Sequence, residues 1–376
     1  MARRLTVQFP LTAGRASPLL VAALVVIAGG ATLGAVAAGA PDSRRDRTPH
    51  GHRASSASRL AASSRARRIG PLTGVALRGR TGLRLVIAAS PPFVLDLDGG
   101  SVADIHGLDA LGAGPRRVVP VGGRNSVIAS SAGDGRIYGI SSRRVAAVDL
   151  GAGQSIAPTG TPNAVWILTS ARGERCRIRG TTVQGRTTLR PRAFPCVSID
   201  VGGRIGVVVR RTLLYDPRSG GVALRAPAGI IAIAGTRVLL AGPGRSFTLV
   251  DTRTRQRKRL RWPSELQGAD APATDPRGRF VALGFADPSR GDGKQALDVW
   301  LLDTLRGDLT RVPGMPALVE LKRTSMSWTD DGRLVLLARS AGRDLVGVFR
   351  PGHRRLAVRP VRLRPRGASD SFAILR

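Results

Sequence analysis

The chain has 376 residues, 42% of them hydrophobic, with 47 glycines and 25 prolines. It is long enough to bury a sizeable core, but the turn-forming residues leave few uninterrupted windows for helices. Two cysteines exclude a disulfide-rich scaffold and any paired C-x-x-C metal module. The net charge of +34 is almost all arginine, because Lys258, Lys294 and Lys322 are the only lysines. A surface this basic attracts polyanions: nucleic acid, anionic lipid or acidic cell-wall polymer.

From Ala16 to Pro41 no residue is charged, and the core Pro18-Leu19-Leu20-Val21-Ala22-Ala23-Leu24-Val25-Val26-Ile27 continues into Ala/Gly-rich sequence. Arg3, Arg4 and Arg15 precede it, and Ala38-Gly39-Ala40 offers a small-x-small cleavage site. Residues 1–40 therefore read as one hydrophobic helix, a signal peptide or transmembrane anchor. Residues 41–75, Arg- and Ser-rich without apolar periodicity, read as a disordered linker. The arginines from Arg44 to Arg68 oppose export under the positive-inside rule. The cleavage-like site and the cysteine pair favour it, so a secreted or membrane-held extracytoplasmic domain is expected.

Residues 76–376 carry a recurring unit, an apolar run ending in an aspartate and a turn. Its copies end at Asp96, Asp149, Asp216, Asp251 and Asp303. Segments such as Leu85-Val86-Ile87, Val165-Trp166-Ile167-Leu168, Ile205-Gly206-Val207-Val208-Val209 and Leu334-Val335-Leu336-Leu337 read as short strands. Small antiparallel sheets repeated at this period predict an all-β fold, a β-propeller. Seven four-strand units can be marked, with six or eight left open. Aspartate suits a turn in each, because its side chain hydrogen-bonds the backbone that follows.

Ser327-Trp328-Thr329-Asp330-Asp331-Gly332-Arg333-Leu334-Val335-Leu336 resembles the W-S-P-D-G-x-x-φ-x-φ signature of TolB-like, WD-repeat-like propeller blades, where φ is apolar. Ala273-Thr274-Asp275-Pro276-Arg277-Gly278-Arg279-Phe280 is a looser copy, and Asp298-Val299-Trp300-Leu301-Leu302-Asp303 resembles the D-φ-W-φ-φ-D segment of the same blades. The resemblance covers the last two units best. It implies a fold and no activity, because propellers host unrelated functions.

Motifs for catalysis are missing from the sequence: no G-x-S-x-G elbow, no phosphate-binding G-x-x-x-x-G-K-[ST] loop and no H-E-x-x-H. Only His106 and His353 fall in the propeller region. No catalytic, metal or cofactor residue is therefore assigned. Cys176 and Cys196 are expected to form a disulfide if the domain is exported. Two arginine clusters are candidates for polyanion binding. One is Arg253, Arg255, Arg257, Arg259 and Arg261, which would share one face of a strand; the other runs from Arg354 and Arg355 through Arg359 to Arg366. A solvated, charge-protected edge strand is the competing reading of the first. Trp262, beside it, reads as packing or as a stacking surface. The functional expectation is a non-catalytic extracytoplasmic binding or scaffold module engaging a protein or cell-envelope component. The alternatives are an exported propeller lyase or hydrolase with a channel-mouth site, and a cytoplasm-facing polyanion-binding scaffold.

Overall fold

The computed structural model describes residues 69–376 apart from 109–115, 123–124, 131–134, 142–144, 171–175, 200, 270–271, 290–291, 322–323, 364–370 and 376. The expected hydrophobic helix and most of the linker lie outside the described residues. Every regular element described is a β-strand, and the strands form seven sheets.

Most of these sheets are antiparallel, with successive strands running from an inner to an outer edge. The seven innermost strands are, in ring order, Phe372–Leu375, Arg116–Pro120, Ser155–Pro158, Gly202–Gly203, Ile230–Ala234, Ala273–Thr274 and Thr324–Trp328. Each touches the next, and Thr324–Trp328 touches Phe372–Leu375, so the ring closes. Seven buried apolar clusters fill the seven joints between neighbouring sheets. The chain is a β-propeller.

This packing explains the sequence pattern. A sheet sandwiched between two others is buried on both faces, so its middle strands read as continuous apolar runs rather than alternating ones. Leu334 to Ala338 are all buried, as are Gly206 to Val209. The outer strands have one packed face only: Gly221–Arg225 and Arg257–Arg261 share a pattern in which Leu224 and Leu260 alone are buried.

The first sheet is completed from the far end of the chain. Phe372–Leu375 pairs with Arg84–Ile87, in the register Arg84 with Leu375 through Ile87 with Phe372. Two short strands near residue 70 add to the sixth and seventh sheets: Gly70–Pro71 lies parallel to Ala317–Leu318, and Val75–Ala76 parallel to Ala357–Val358. The stretch assigned to linker by its composition thus already carries strand pairing from Gly70 on.

The repeated aspartates serve the turns. Asp96, Asp216, Asp251 and Asp303 each end the third strand of their sheet. Their carboxylates accept the N–H groups two and three residues on: Asp98 and Gly99 at 2.8 and 3.2 Å, Arg218 and Ser219 at 3.0 and 3.3 Å, Arg253 and Thr254 at 2.9 and 3.1 Å, Leu305 and Arg306 at 3.0 and 3.3 Å. Asp149 departs from this plan. It lies inside the outermost strand Ala147–Ala152, where it accepts the Gly151 N–H and pairs with Arg136 at 2.7 Å.

Candidate functional site: an arginine-bearing cleft

The site is built by the seventh sheet and the segment clipped to it. Strand Arg343–Phe349 ends at the buried Phe349, and Ala357–Val361 follows the buried Leu356. The turn between these two anchors holds Arg350, His353, Arg354 and Arg355, all exposed. His353 N–H donates to the Arg350 carbonyl at 3.0 Å, and Gly352 takes φ of 88°, a conformation that favours glycine. Val75 N–H bonds the Leu356 carbonyl and Leu77 N–H the Val358 carbonyl, both at 2.9 Å. The approach is so close that a Cβ on Gly74 would stand 2.3 Å from the Leu356 carbonyl oxygen.

Together these elements enclose an open cleft of about 530 Å³. Its floor is Val75, Leu77, Val348 and Ala357, and its walls are Arg333, Arg350, Arg354 and Arg355 together with His353. Among the described residues no carboxylate lines it. Arg333 is held in place by Asp331, at 3.1 Å, and by the Thr81 carbonyl at 3.4 Å. Concave, low-dielectric walls of one sign focus the potential and concentrate counter-ions. Val75 is 38% exposed, leaving an apolar foothold under the arginines. The arrangement suits an anion that carries an apolar part.

Of the residues singled out in sequence, Arg354 and Arg355 belong to this cleft, but Arg359 does not. Its guanidinium turns inward and donates to the carbonyls of Leu77, Gly79 and Leu97. It also reaches Asp98 at 3.4 Å. Arg359 therefore organises the crossing from the seventh sheet to the first. Asp98 completes that crossing by accepting the N–H groups of Thr81 and Gly82 and the Thr81 hydroxyl, each at 2.7 or 2.8 Å. Burial pushes its pKa up, but these hydrogen bonds and Arg359 outweigh burial and bring it to about 2. Arg364 and Arg366 lie outside the described residues.

The first arginine cluster is split. Arg257, Arg259 and Arg261 are exposed on the outer edge strand Arg257–Arg261 of the fifth sheet. Arg253 and Arg255 sit in the turn before it, because Asp251 caps that turn and Arg255 takes φ of 63°. The five side chains do not form one strand face. Lys258 points away from the row and donates to the Arg306 carbonyl of the sixth sheet. The sixth sheet lies between the two clusters. Trp262 is packing: its ring stacks on Phe247 at 5.6 Å and tilts against Phe285 at 5.0 Å. Cys176 and Cys196 form a disulfide with Cα atoms 5.0 Å apart, tying the start of strand Cys176–Thr182 to the residues just past Thr187–Phe194.

Arg333, Arg350 and the floor residues were missed in sequence. Arg333 stands in the Ser327–Leu336 motif, which speaks for a turn and not for a site, and Val75 and Leu77 join the others only through the pairing of Val75–Ala76 with the seventh sheet. Among the described residues no group of three His, Cys, Asp or Glu side chains could hold a metal. The described innermost strands contain no Asp, Glu, His, Cys or Lys.

No protein family and no curated protein matches the chain. Solved structures similar to it include a putative TolB from Agrobacterium tumefaciens, at 12% identity and a TM-score of 0.37 over 77% of this chain and 91% of that one. They also include a putative 6-phosphogluconolactonase from Bacteroides fragilis, at 11% identity and a TM-score of 0.45 over 80% of this chain and all of that one. The tricorn protease matches at 13% identity and a TM-score of 0.28 over 70% of this chain, which spans only 25% of that protein. A putative TolB is thus among the solved structures to which the chain is similar.

Proposed function

We propose that this protein is a seven-bladed propeller, one blade per sheet, acting outside the cytoplasm as a non-catalytic binding module for an anionic component of the cell envelope. The observation that carries the binding reading is the convergence of Arg333, Arg350, Arg354 and Arg355 on an apolar floor without a carboxylate among the lining residues. Such a cleft offers charge-assisted hydrogen bonds to phosphate or carboxylate. Its lining holds no serine, cysteine or carboxylate and a single imidazole, His353, so it favours holding a ligand over transforming one. The Cys176–Cys196 bridge supports an oxidising compartment, and the uncharged stretch from Ala16 to Pro41 supports export or anchoring.

The deciding experiment is thiol labelling of the full chain in intact cells. Cysteines that become reactive only after a reductant place the propeller outside. Thiols that are reduced from the start in intact cells overturn the extracytoplasmic reading. A companion measurement follows sedimentation of the full chain with isolated envelopes. Arg354→Gln/Arg355→Gln should weaken it, and unchanged sedimentation removes the cleft from the binding reading.

A further inference from the structure

The cleft belongs to a larger charged face. In each of the fourth to seventh sheets the first four strands run up and down in succession, so the turns joining third to fourth strands all emerge on one side of the ring. Four consecutive sheets place exposed arginine there: Arg218 in the fourth, Arg253 in the fifth, Arg306 in the sixth, and Arg350, Arg354 and Arg355 in the seventh. The aspartates of the same turns do not cancel this charge from outside. Asp216, Asp251 and Asp303 are only partly exposed and point their carboxylates back onto the turn's own N–H groups. On the other side of the ring, the described second-to-third turns contribute Arg210, Arg211 and Arg245. The last is turned inward onto the carbonyls of Ser264 and Leu266 at 2.8 Å.

Resting on the binding-module reading, we infer that the face bearing Arg218, Arg253, Arg306 and the cleft docks on a bilayer containing anionic phospholipid, and that the cleft takes a headgroup phosphate. Two observations select this occupant. The positive charge spans four sheets, which matches an extended anionic surface better than a compact ligand. Val75, 38% exposed on the cleft floor, provides an apolar contact beneath the phosphate position.

The test uses the full chain reconstituted into liposomes, with a fluorophore on Ser219→Cys beside Arg218; the native cysteines are bonded to each other and do not compete for label. Brominated lipids report contact by quenching. Quenching is expected in phosphatidylcholine membranes containing a third phosphatidylglycerol and not in phosphatidylcholine alone, and should fade as salt rises. Each arginine near an anionic surface is worth roughly fivefold in the docked-to-undocked ratio, so Arg350→Gln/Arg354→Gln/Arg355→Gln should lower that ratio about a hundredfold. Arg210→Gln/Arg211→Gln, on the opposite side, should leave it unchanged. Retained cooperative unfolding of each variant separates lost docking from lost folding.

Quenching that is equal without anionic lipid, or lost equally in the opposite-side variant, overturns the inference. So does release by inorganic phosphate beyond that given by chloride at equal ionic strength, which assigns the cleft to free phosphate. Binding of polyglutamate through the same arginines, without quenching on phosphatidylglycerol membranes, reassigns the face to an acidic protein and likewise overturns it. The thiol-labelling result fails or holds independently of all these outcomes.

Discussion

The sixth sheet contains a buried charge pair whose two halves should respond unequally to removal. Asp298 is 1% exposed, whereas the Arg311 side chain is 30% exposed. Arg311 grips Asp298 through Nε to Oδ1 at 2.9 Å and Nη2 to Oδ2 at 2.8 Å, and Trp300 Nε1 donates to Oδ2 at 3.0 Å. The guanidinium also lies over the Trp300 ring, 5.1 Å from its centroid. Arg311→Ala leaves the carboxylate inside with one donor and no countercharge, at a cost of about 3–4 kcal/mol. Asp298→Ala frees a guanidinium that can turn to water, so the loss is closer to that of charge-assisted hydrogen bonds, about 1.5–2.5 kcal/mol. The double variant should cost less than the sum of the two, because contacting residues couple. Equilibrium unfolding in urea measures all three without adding salt that would screen the pair. Equal losses, or a larger loss for Asp298→Ala, would refute the argument that burial of the carboxylate sets the asymmetry.

Three further outcomes can be measured the same way. Replacing Cys176 and Cys196 with serine opens a loop with a sequence separation of 20, and chain entropy puts the loss at about 3 kcal/mol; a urea midpoint unmoved under non-reducing conditions would contradict it. Asp98 has its folded pKa lowered from 3.8 to about 2, so its stabilisation is present above the ordinary carboxylate range and is lost as pH falls through that window. Asp98→Asn should therefore shrink the acid-side loss of stability between about pH 4 and pH 2. Asp275 is shifted the other way: burial raises its pKa, against hydrogen bonds from the N–H groups of Phe280, Arg279 and Arg277. A raised folded pKa means stability that is full below the unfolded value and declines as pH rises through the folded one. Asp275→Asn, which keeps an acceptor for Phe280 N–H, should flatten that decline, and an unchanged pH profile would count against it.

The fold was legible where local chemistry repeats. An apolar run closed by an aspartate marks the end of a third strand at Asp96, Asp216, Asp251 and Asp303, because a carboxylate there meets the next two free N–H groups of the turn. Asp149 has the same local sequence but sits one strand further out, and nothing adjacent to it in the chain distinguishes the two situations. Pairing between Arg84–Ile87 and Phe372–Leu375 was not legible, since a ladder between distant segments leaves no local trace beyond two apolar runs. The site was half legible. Arg354 and Arg355 stood out as charge, yet charge density alone did not separate them from Arg359, which is spent on the backbone carbonyls of the crossing segment. Even spacing along Arg253 to Arg261 suggested a common face only because the turn ending at Gln256 was not recognised. Left-handed backbone at Arg255 breaks the row, and arginine gives no hint of that conformation.

The pairing that closes the ring also imposes an order in time. Arg84–Ile87 cannot receive its inner neighbour until Phe372–Leu375 has been synthesised, which at ordinary elongation rates takes roughly 15–60 s. During that interval the first sheet presents an open edge of leucine, valine and isoleucine, and the joint it shares with the seventh sheet is unfilled. A nascent chain in this state invites mispairing with other exposed strands. The ring can seal only once Phe372–Leu375 has arrived beside Arg84–Ile87.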